Sequence, residues 1–317
     1  MKKLLLFLVI LSLGCGLGGC GWRPTASTNG KINIVTTIFP QYDFVRNIAG
    51  DQANITLLLR PGAETHSYEP SPQDIIKIKN STVFVYTGGE SDEWVERILA
   101  SLDTDSLQIV SLLDCVPTVE EELVEGMQEE EAEAEEDAES EPEYDEHVWT
   151  APRNAKLIVQ KITDTLCAVD TPNAVAYRQN AENYLARLDK LDADLRALTS
   201  GAKRKTLVFG DRFPFRYFTD AYGLKYFAAF PGCSTETEAS PATIRFLIDK
   251  MRQEKIPVVL HIELSNQKMA KAIAEATGAQ VRQLHAVHNI TRRDFQSGLG
   301  YLDLMRQNIE VLKEALY

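Results

Sequence analysis

The sequence of 317 residues has only five histidines and five cysteines, and it has no surplus of basic charge. With 33 Lys and Arg against 46 Asp and Glu, the net charge is −13, which argues against a nucleic-acid partner. The apolar run Leu4–Leu13 is too short to be a comfortable membrane span. A hydrophobic content of 44% and an aromatic content of 8% are ordinary for a globular protein, and they exclude a wholly disordered or polytopic membrane chain.

The acidic charge is concentrated in one segment. Residues 120–146 hold 16 acidic side chains and no basic one, so the rest of the chain carries 33 − 30 = +3. Self-repulsion and a shortage of apolar side chains favour a mobile loop here. The loop is either a solvated spacer or a weak, multidentate collector of cations.

The N-terminus has the features of an export signal. Met1–Lys3 and the run Leu4–Leu13 have the charged and apolar regions of such a signal. Leu17–Cys20 resembles the lipobox of bacterial lipoproteins, with Cys15 a weaker candidate and an ordinary cleaved signal the alternative. We expect residues 1–19 to be removed and the Cys20 thiol to be acylated. The lipid membrane would then anchor the chain on its extracytoplasmic face, through a flexible tether over residues 20–30.

Three cysteines are left after Cys20, namely Cys115, Cys167 and Cys233. An odd number in an exported protein allows at most one internal disulfide and leaves one thiol over. Their scattered spacing matches no metal-binding motif. We expect at least one of them to be a small buried apolar residue, and the sequence does not decide whether any two are paired.

Short β-branched runs alternate with amphipathic helical stretches from residue 31 onward, which predicts an α/β fold with parallel sheets covered on both faces. The predicted helices include 41–49, 72–79, 92–102 and 301–316. The predicted strands are 32–38, 55–59, 82–86, 107–111, 206–209, 226–229, 257–262 and 280–284. We therefore predict an N-terminal lobe over residues 31–171 and a C-terminal lobe over residues 201–317, each Rossmann-like.

One long helix is predicted between the lobes. Thr171 and Pro172 are suited to a helix start, and apolar residues recur at helical spacing until Gly201. We expect residues 172–200 to form a single rigid connecting helix. Ligand sites in open α/β sheets lie at the carboxyl ends of strands, so two facing lobes predict a site in the cleft between them.

The five histidines fall where such a site would form. His66 follows the second predicted strand, His147 follows the acidic segment, and His285 and His288 follow the last strand, whereas His261 lies within a strand. A single histidine is more often a hydrogen-bonded structural residue, but several at strand ends in both lobes indicate a metal site. Imidazole suits zinc and other first-row transition metals, and carboxylates broaden the choice toward manganese and iron.

Four stretches of the sequence carry a family resemblance. Residues 61–72 read PGAETHSYEPSP and residues 145–155 read DEHVWTAPRNA, and these two are specific. Looser matches are residues 209–224 and the C-terminal stretches AEATGAQVRQL and YLDLMRQNIEVLKEAL. Together they resemble the substrate-binding lipoproteins of zinc/manganese ABC transporters, and the zinc-binding, ZnuA-like subgroup in particular. The resemblance covers essentially the whole mature chain.

The resemblance implies a set of metal ligands. His66 and His147 match the two ligands of the N-terminal lobe. Asp211 is the candidate near the third motif, where the family usually has His or Glu, and His285 stands where the family commonly has Asp. These departures also allow Glu263, His261 or His288 to complete the C-terminal half of the site. Three imidazoles and one carboxylate would favour Zn²⁺ over Mn²⁺.

The resemblance further implies a receptor rather than an enzyme. The expected role is a monomeric extracytoplasmic protein that captures Zn²⁺ between two lobes and delivers it to the permease of an ABC importer. The alternatives are a manganese receptor of the same family, a surface adhesin, and a metal-dependent hydrolase with Glu263 beside His261 as its base. The sequence has neither an HExxH motif nor a GxSxG elbow, which counts against the hydrolase.

Overall fold

A computed structural model describes residues 30–63, 68–127, 143–234 and 239–317. The predicted signal peptide, Cys20 and most of the tether lie outside the described residues, as do His66 and residues 128–142 of the acidic segment. Cys115, Cys167 and Cys233 are all described, and each is a free thiol. No two of them are therefore paired.

The N-terminal sheet has four strands: β1 (Ile32–Thr36), β2 (Ala53–Leu57), β3 (Val83–Tyr86) and β4 (Gln108–Ser111). Their order is β2-β1-β3-β4, and every neighbouring pair is parallel. The chain leaves β1 for an edge and then crosses to the other side. Such a reversal of strand order leaves a crevice at the carboxyl ends of the strands.

The C-terminal sheet repeats this arrangement with β5 (Thr206–Phe213), β6 (Lys225–Pro231), β7 (Val258–His261) and β8 (Gln280–Gln283). The order is β6-β5-β7-β8, and all pairs are again parallel. The predicted fold class is confirmed, and all eight predicted strands are present. The largest difference is at β5, which continues four residues beyond the predicted end at Phe209, with an irregular register between Phe209 and Arg212.

Helices cover both sheets. In chain order they are α1 (Phe39–Ala49), α2 (Pro72–Lys79), α3 (Glu93–Leu99), α4 (Pro152–Val169), α5 (Ala174–Ser200), α6 (Arg216–Tyr222), α7 (Pro241–Glu254), α8 (Lys268–Thr277), α9 (Arg292–Gln296) and α10 (Tyr301–Leu316). The α2 helix begins with a capping box, in which the Ser71 and Asp74 side chains each accept from the other residue's backbone N–H. Within the described ranges, no helix has the length and apolar character needed to cross a bilayer.

The long helix α5 joins the two sheets. It is 27 residues long and therefore spans about 40 Å. It begins two residues later than predicted, because Thr171–Asn173 form a 3₁₀ turn before it. Its buried side chains include Tyr177, Tyr184 and Leu188, and they belong to one apolar core that includes residues of both sheets. We call the described residues before α5 the N-terminal lobe and those after it the C-terminal lobe.

A buried carboxylate ties the two lobes together beside α5. Asp43 on α1 is 1% exposed, and its Oδ2 accepts from the Tyr301 backbone N–H at 2.9 Å and from the Tyr184 hydroxyl at 3.3 Å. Its Oδ1 accepts from Arg46 Nε at 2.6 Å, and Arg46 in turn donates to the Leu299 carbonyl at 3.2 Å. Elements of both lobes and the connecting helix therefore meet at one side chain.

Replacing this carboxylate should weaken the fold. Asp43→Ala leaves the Tyr301 N–H, the Tyr184 hydroxyl and the Arg46 guanidinium without their acceptor, so we expect the free energy of unfolding to fall by about 2–4 kcal/mol. Urea unfolding followed by circular dichroism measures the change. The matched control is Glu310→Ala, which removes an exposed ion pair with Lys313 and should cost less than about 0.5 kcal/mol. Equal effects of the two variants would contradict this role for Asp43.

Candidate metal site

His147 is held in a fixed position at the end of the acidic segment. The incoming chain pairs with the segment after β4, since the Asp145 N–H donates to the Val119 carbonyl at 3.0 Å. Asp145 Oδ1 accepts from the His147 backbone N–H at 2.8 Å and lies 3.2 Å from His147 Nδ1. The His147 side chain is fully buried. A carboxylate beside Nδ1 favours the tautomer with the proton on Nδ1, in which Nε2 is the basic nitrogen.

The surroundings of His147 are rich in negative charge. Burial lowers the pKa of His147, but the charges of Asp145, Glu146 and Glu121 raise it, and the net shift is upward. Burial raises the pKa of Glu146 to about 7, even though its carboxylate accepts from the Ser91 backbone N–H at 2.7 Å. Such a group of negative charges attracts a cation to the His147 ring.

His288 of the C-terminal lobe meets His147 of the N-terminal lobe. Their ring centroids are 5.1 Å apart and the rings are nearly perpendicular. Trp149, which is fully buried, lies against both rings, with centroids 5.5 Å from His147 and 5.0 Å from His288. The Trp149 indole N–H donates to the Ala286 carbonyl at 2.8 Å. Trp149 therefore packs between the lobes and supports both imidazoles.

The backbone of Gly232 in the C-terminal lobe also lies very close to the His147 ring. A Cβ on Gly232, directly after β6, would lie 2.9 Å from His147 Cε1. The Gly232 backbone N–H donates to Glu121 Oε1 at 2.8 Å. Residue 232 must therefore be glycine for the C-terminal lobe to close onto the His147 ring.

Glu263 lies beneath the loop that carries His288. Its side chain is buried, and it accepts from the Ala286 N–H at 2.7 Å and from the His288 N–H at 2.8 Å. Burial raises the pKa of Glu263 to about 7, although these backbone hydrogen bonds lower it. The carboxylate thus holds the backbone of the His288 loop.

The other candidate residues of the C-terminal lobe face different partners. Asp211 lies inside the extended β5, where Oδ2 accepts from the Ile262 N–H at 3.2 Å and Oδ1 accepts from the Arg212 N–H at 2.9 Å. His285 lies against α10: its Nε2 is 3.1 Å from Gln307 Oε1, and its Nδ1 is 3.0 Å from Gln283 Nε2. His261 is buried, with Nδ1 2.8 Å from the Ile262 carbonyl oxygen.

A narrow cavity lies at the interlobe contact, and the N-terminal lobe contributes most of its lining. Its polar lining includes Thr37, Tyr68, Ser91, Asp92, Glu146 and His288. Burial raises the pKa of Asp92 to about 6, while N–H donors of Thr87 and Gly88 lower it. Among the described residues, no group of three or more His, Cys, Asp or Glu side chains could hold a metal ion by itself. His66, the candidate ligand of the first motif, lies outside the described residues.

Comparison with known proteins places this chain in a family. The family described as "Zinc-uptake complex component A periplasmic", or ZnuA, matches residues 34–315. The chain belongs to the ZnuA family. The matched range runs from β1 to the end of α10 and includes His66, His147 and the loop of His288.

Individual members of the ZnuA family are similar over most of the chain. The zinc-binding lipoprotein AdcA of Streptococcus pneumoniae strain R6 is 32% identical over 315 residues, which is 99% of this chain but only 61% of AdcA. The chain thus spans about three-fifths of that relative. The high-affinity zinc uptake system protein ZnuA of Bacillus subtilis is 31% identical over 301 residues, covering 94% of this chain and 92% of that protein.

A solved structure supports the fold in detail. The Zn(II)-bound ZnuA-like domain of Streptococcus pneumoniae AdcA superposes with a TM-score of 0.75 at 30% identity. The match covers 90% of this chain and 99% of that domain. This chain therefore corresponds to the whole ZnuA-like domain of the longer relative.

Proposed function

We propose that this protein is the extracytoplasmic receptor of an ABC importer and that its substrate is Zn²⁺. The contact of His147 and His288 across the two lobes is the observation that carries the proposal. Imidazoles from both lobes let one ion bridge them, and imidazole is a preferred ligand of zinc. The names of the similar ZnuA and AdcA proteins, which describe zinc binding and uptake, support the same substrate.

Three imidazoles form the ligand set that we propose. His147 and His288 are supported by their contact, and His66 is supported by the motif that contains it. His285 and Asp211 were predicted from the resemblance, and they become the second choice because their side-chain atoms face Gln307, Gln283 and two backbone N–H groups. A site rich in imidazole favours Zn²⁺ over Mn²⁺, whose sites contain more oxygen ligands.

The proposed partners are a membrane and a permease. An acylated Cys20 would hold the receptor on the extracytoplasmic face, and one lipid-modified terminus keeps it close to the transporter. In this role the protein binds and releases its ion without catalysing a reaction. The same proposal includes a monomeric state. It also includes the predicted segments, which are the signal peptide, tether, N-terminal lobe, connecting helix and C-terminal lobe, divided after residues 19, 30, 171 and 200.

Zinc uptake by cells tests this role. A strain lacking the protein should take up radioactive zinc more slowly from zinc-limited medium, and a plasmid copy should restore the rate. A copy with Cys20→Ala should restore it less well, because the receptor is no longer anchored. Unchanged uptake in the strain lacking the protein would count against the role.

The proposed ligands also predict how zinc affinity depends on pH. A histidine binds zinc only when its coordinating nitrogen is deprotonated, so protons compete with the ion. The pKa of His147 is raised above its ordinary value of about 6.5, so the competition begins at a higher pH than for a free histidine. We expect zinc affinity to be constant at high pH and to fall increasingly as pH drops through about 7 to 5. Titration with a chelating indicator at several pH values measures this, and a flat profile would contradict imidazole ligation.

A further inference from the structure

We propose that Asn289 is a positioning residue for zinc binding, tying the loop that carries His288 to the backbone of Arg60 and Ala63 in the N-terminal lobe. The two segments come from opposite lobes, so the tie would hold the His288 ring against His147 of the N-terminal lobe. This inference rests on the function proposed above. It assigns a role to a side chain that is not itself a ligand.

Both the nitrogen and the oxygen of the Asn289 side-chain amide are hydrogen-bonded. It is 2% exposed, and Nδ2 donates to the Arg60 carbonyl at 3.1 Å and to the Ala63 carbonyl at 2.8 Å. Its Oδ1 accepts from the Ile290 N–H at 2.8 Å. Both N–H groups of the buried Asn289 amide therefore donate to backbone carbonyls of the other lobe. A smaller side chain, such as that of serine, has one donor and cannot bond both carbonyls.

The loop that carries Asn289 is fixed from the opposite side by Glu263. The Glu263 carboxylate accepts from the N–H groups of Ala286 and His288. Between them Val287 has φ = 60°, a conformation that is rare for a β-branched residue and that persists only when surrounding contacts impose it. The Glu263 carboxylate and the Asn289 amide are two such contacts. Glu263 thus holds His288 through its own backbone N–H, and Asn289 holds the residue that follows it.

The Asn289 hydrogen bonds are accompanied by a weaker contact between the same two segments. A second contact across the same junction runs from Arg292 Nε to the Pro61 carbonyl at 3.4 Å, but it is longer and exposed. Of these contacts between described residues, the hydrogen bonds of the buried Asn289 amide are the shorter ones.

A graded series of variants in the full mature chain tests the proposal with zinc and cobalt as probes. Asn289→Ala removes both N–H donors to the Arg60 and Ala63 carbonyls. Asn289→Ser keeps a single hydroxyl donor, which can bond at most one of these carbonyls. We expect Asn289→Ala to bind zinc about 10- to 100-fold more weakly and to release it correspondingly faster, with Asn289→Ser between it and the wild type. The visible absorption of bound Co²⁺, which reports coordination geometry, should change in the same order.

The matched control is Asn180→Ala. Asn180 also donates from Nδ2 to a backbone carbonyl of another element, Ile48 at 3.0 Å, but it lies on α5, which contributes no proposed ligand. It should leave zinc affinity, release rate and the cobalt spectrum unchanged.

Wild-type affinity, release rate and cobalt spectrum in both Asn289 variants would overturn the proposal. So would equal losses in Asn180→Ala, since the effect would then be general destabilisation. If Asn289→Ala does not fold, Asn289→Ser decides alone. Failure of the proposed function is distinguishable, because the wild-type chain would then bind no zinc at all.

Discussion

His147→Ala is expected to weaken zinc binding by about 100- to 1,000-fold. Structural zinc sites with four ligands have apparent binding free energies of about 10–16 kcal/mol, or about 2.5–4 kcal/mol for each ligand. A loss of that size corresponds to two to three factors of ten in affinity. His147 is fully buried and is held by Asp145, so no neighbouring imidazole can take its place without moving the chain. Competition with a chelating indicator measures the change.

Two other histidines serve as comparisons for this variant. His288→Ala should cause a loss of similar size, because its ring lies 5.1 Å from His147. His285→Ala should stay within a few-fold of the wild type, because its ring nitrogens face Gln307 and Gln283. If His285→Ala loses zinc and His288→Ala retains it, the ligand set proposed from the structure is wrong and the one implied by the family resemblance is right.

Trp149→Ala is expected to lower the free energy of unfolding by about 3–5 kcal/mol. This is the usual cost of truncating a fully buried large aromatic residue, because the vacated space is only partly refilled. The variant also leaves the Ala286 carbonyl without its indole donor. Both lobes lose a shared packing partner, so zinc affinity should fall as well. Urea unfolding measured by circular dichroism gives the stability.

Val175→Ala is the control for that experiment. Val175 lies on α5 and is 79% exposed, so its truncation should change stability by less than about 0.5 kcal/mol. A loss of less than 1 kcal/mol in Trp149→Ala would contradict the account of Trp149 as the residue that packs between the lobes.

Most of the fold could be predicted from the sequence because its signals are local. Ser71 and Pro72 mark the start of α2, and the predicted ends at residues 72 and 79 agree with the structure. The last helix likewise occupies the predicted residues, Tyr301–Leu316. The buried parallel strands β3 and β7 appear in the sequence as short runs rich in β-branched residues.

The C-terminal half of the site could not be predicted in the same way, because it depends on backbone geometry. His285 and His288 both follow β8 within five residues, and the sequence does not distinguish them. Val287, with φ = 60°, turns the backbone between the two histidines. As a result, the His288 side chain contacts His147, whereas the His285 side chain lies against α10. A positive φ at a valine has no sequence signal.

Asp211 shows a second limit of sequence reasoning. The apolar run ends at Phe209, which predicts that the carboxylate follows the strand end, where ligands are found. In the structure an irregular register carries β5 on to Phe213, and Asp211 accepts a hydrogen bond from the Ile262 N–H, next to β7. A bulge changes which side chains face the strand end, and its presence depends on pairing with neighbouring strands.

The most direct test of the account is the metal content of the chain that begins after Cys20. Purification under anaerobic conditions, elemental analysis and competition between Zn²⁺ and Mn²⁺ would give both stoichiometry and preference. We predict one zinc ion per chain, retained against excess manganese. A chain that binds no metal, or that exchanges zinc for manganese, would contradict the account.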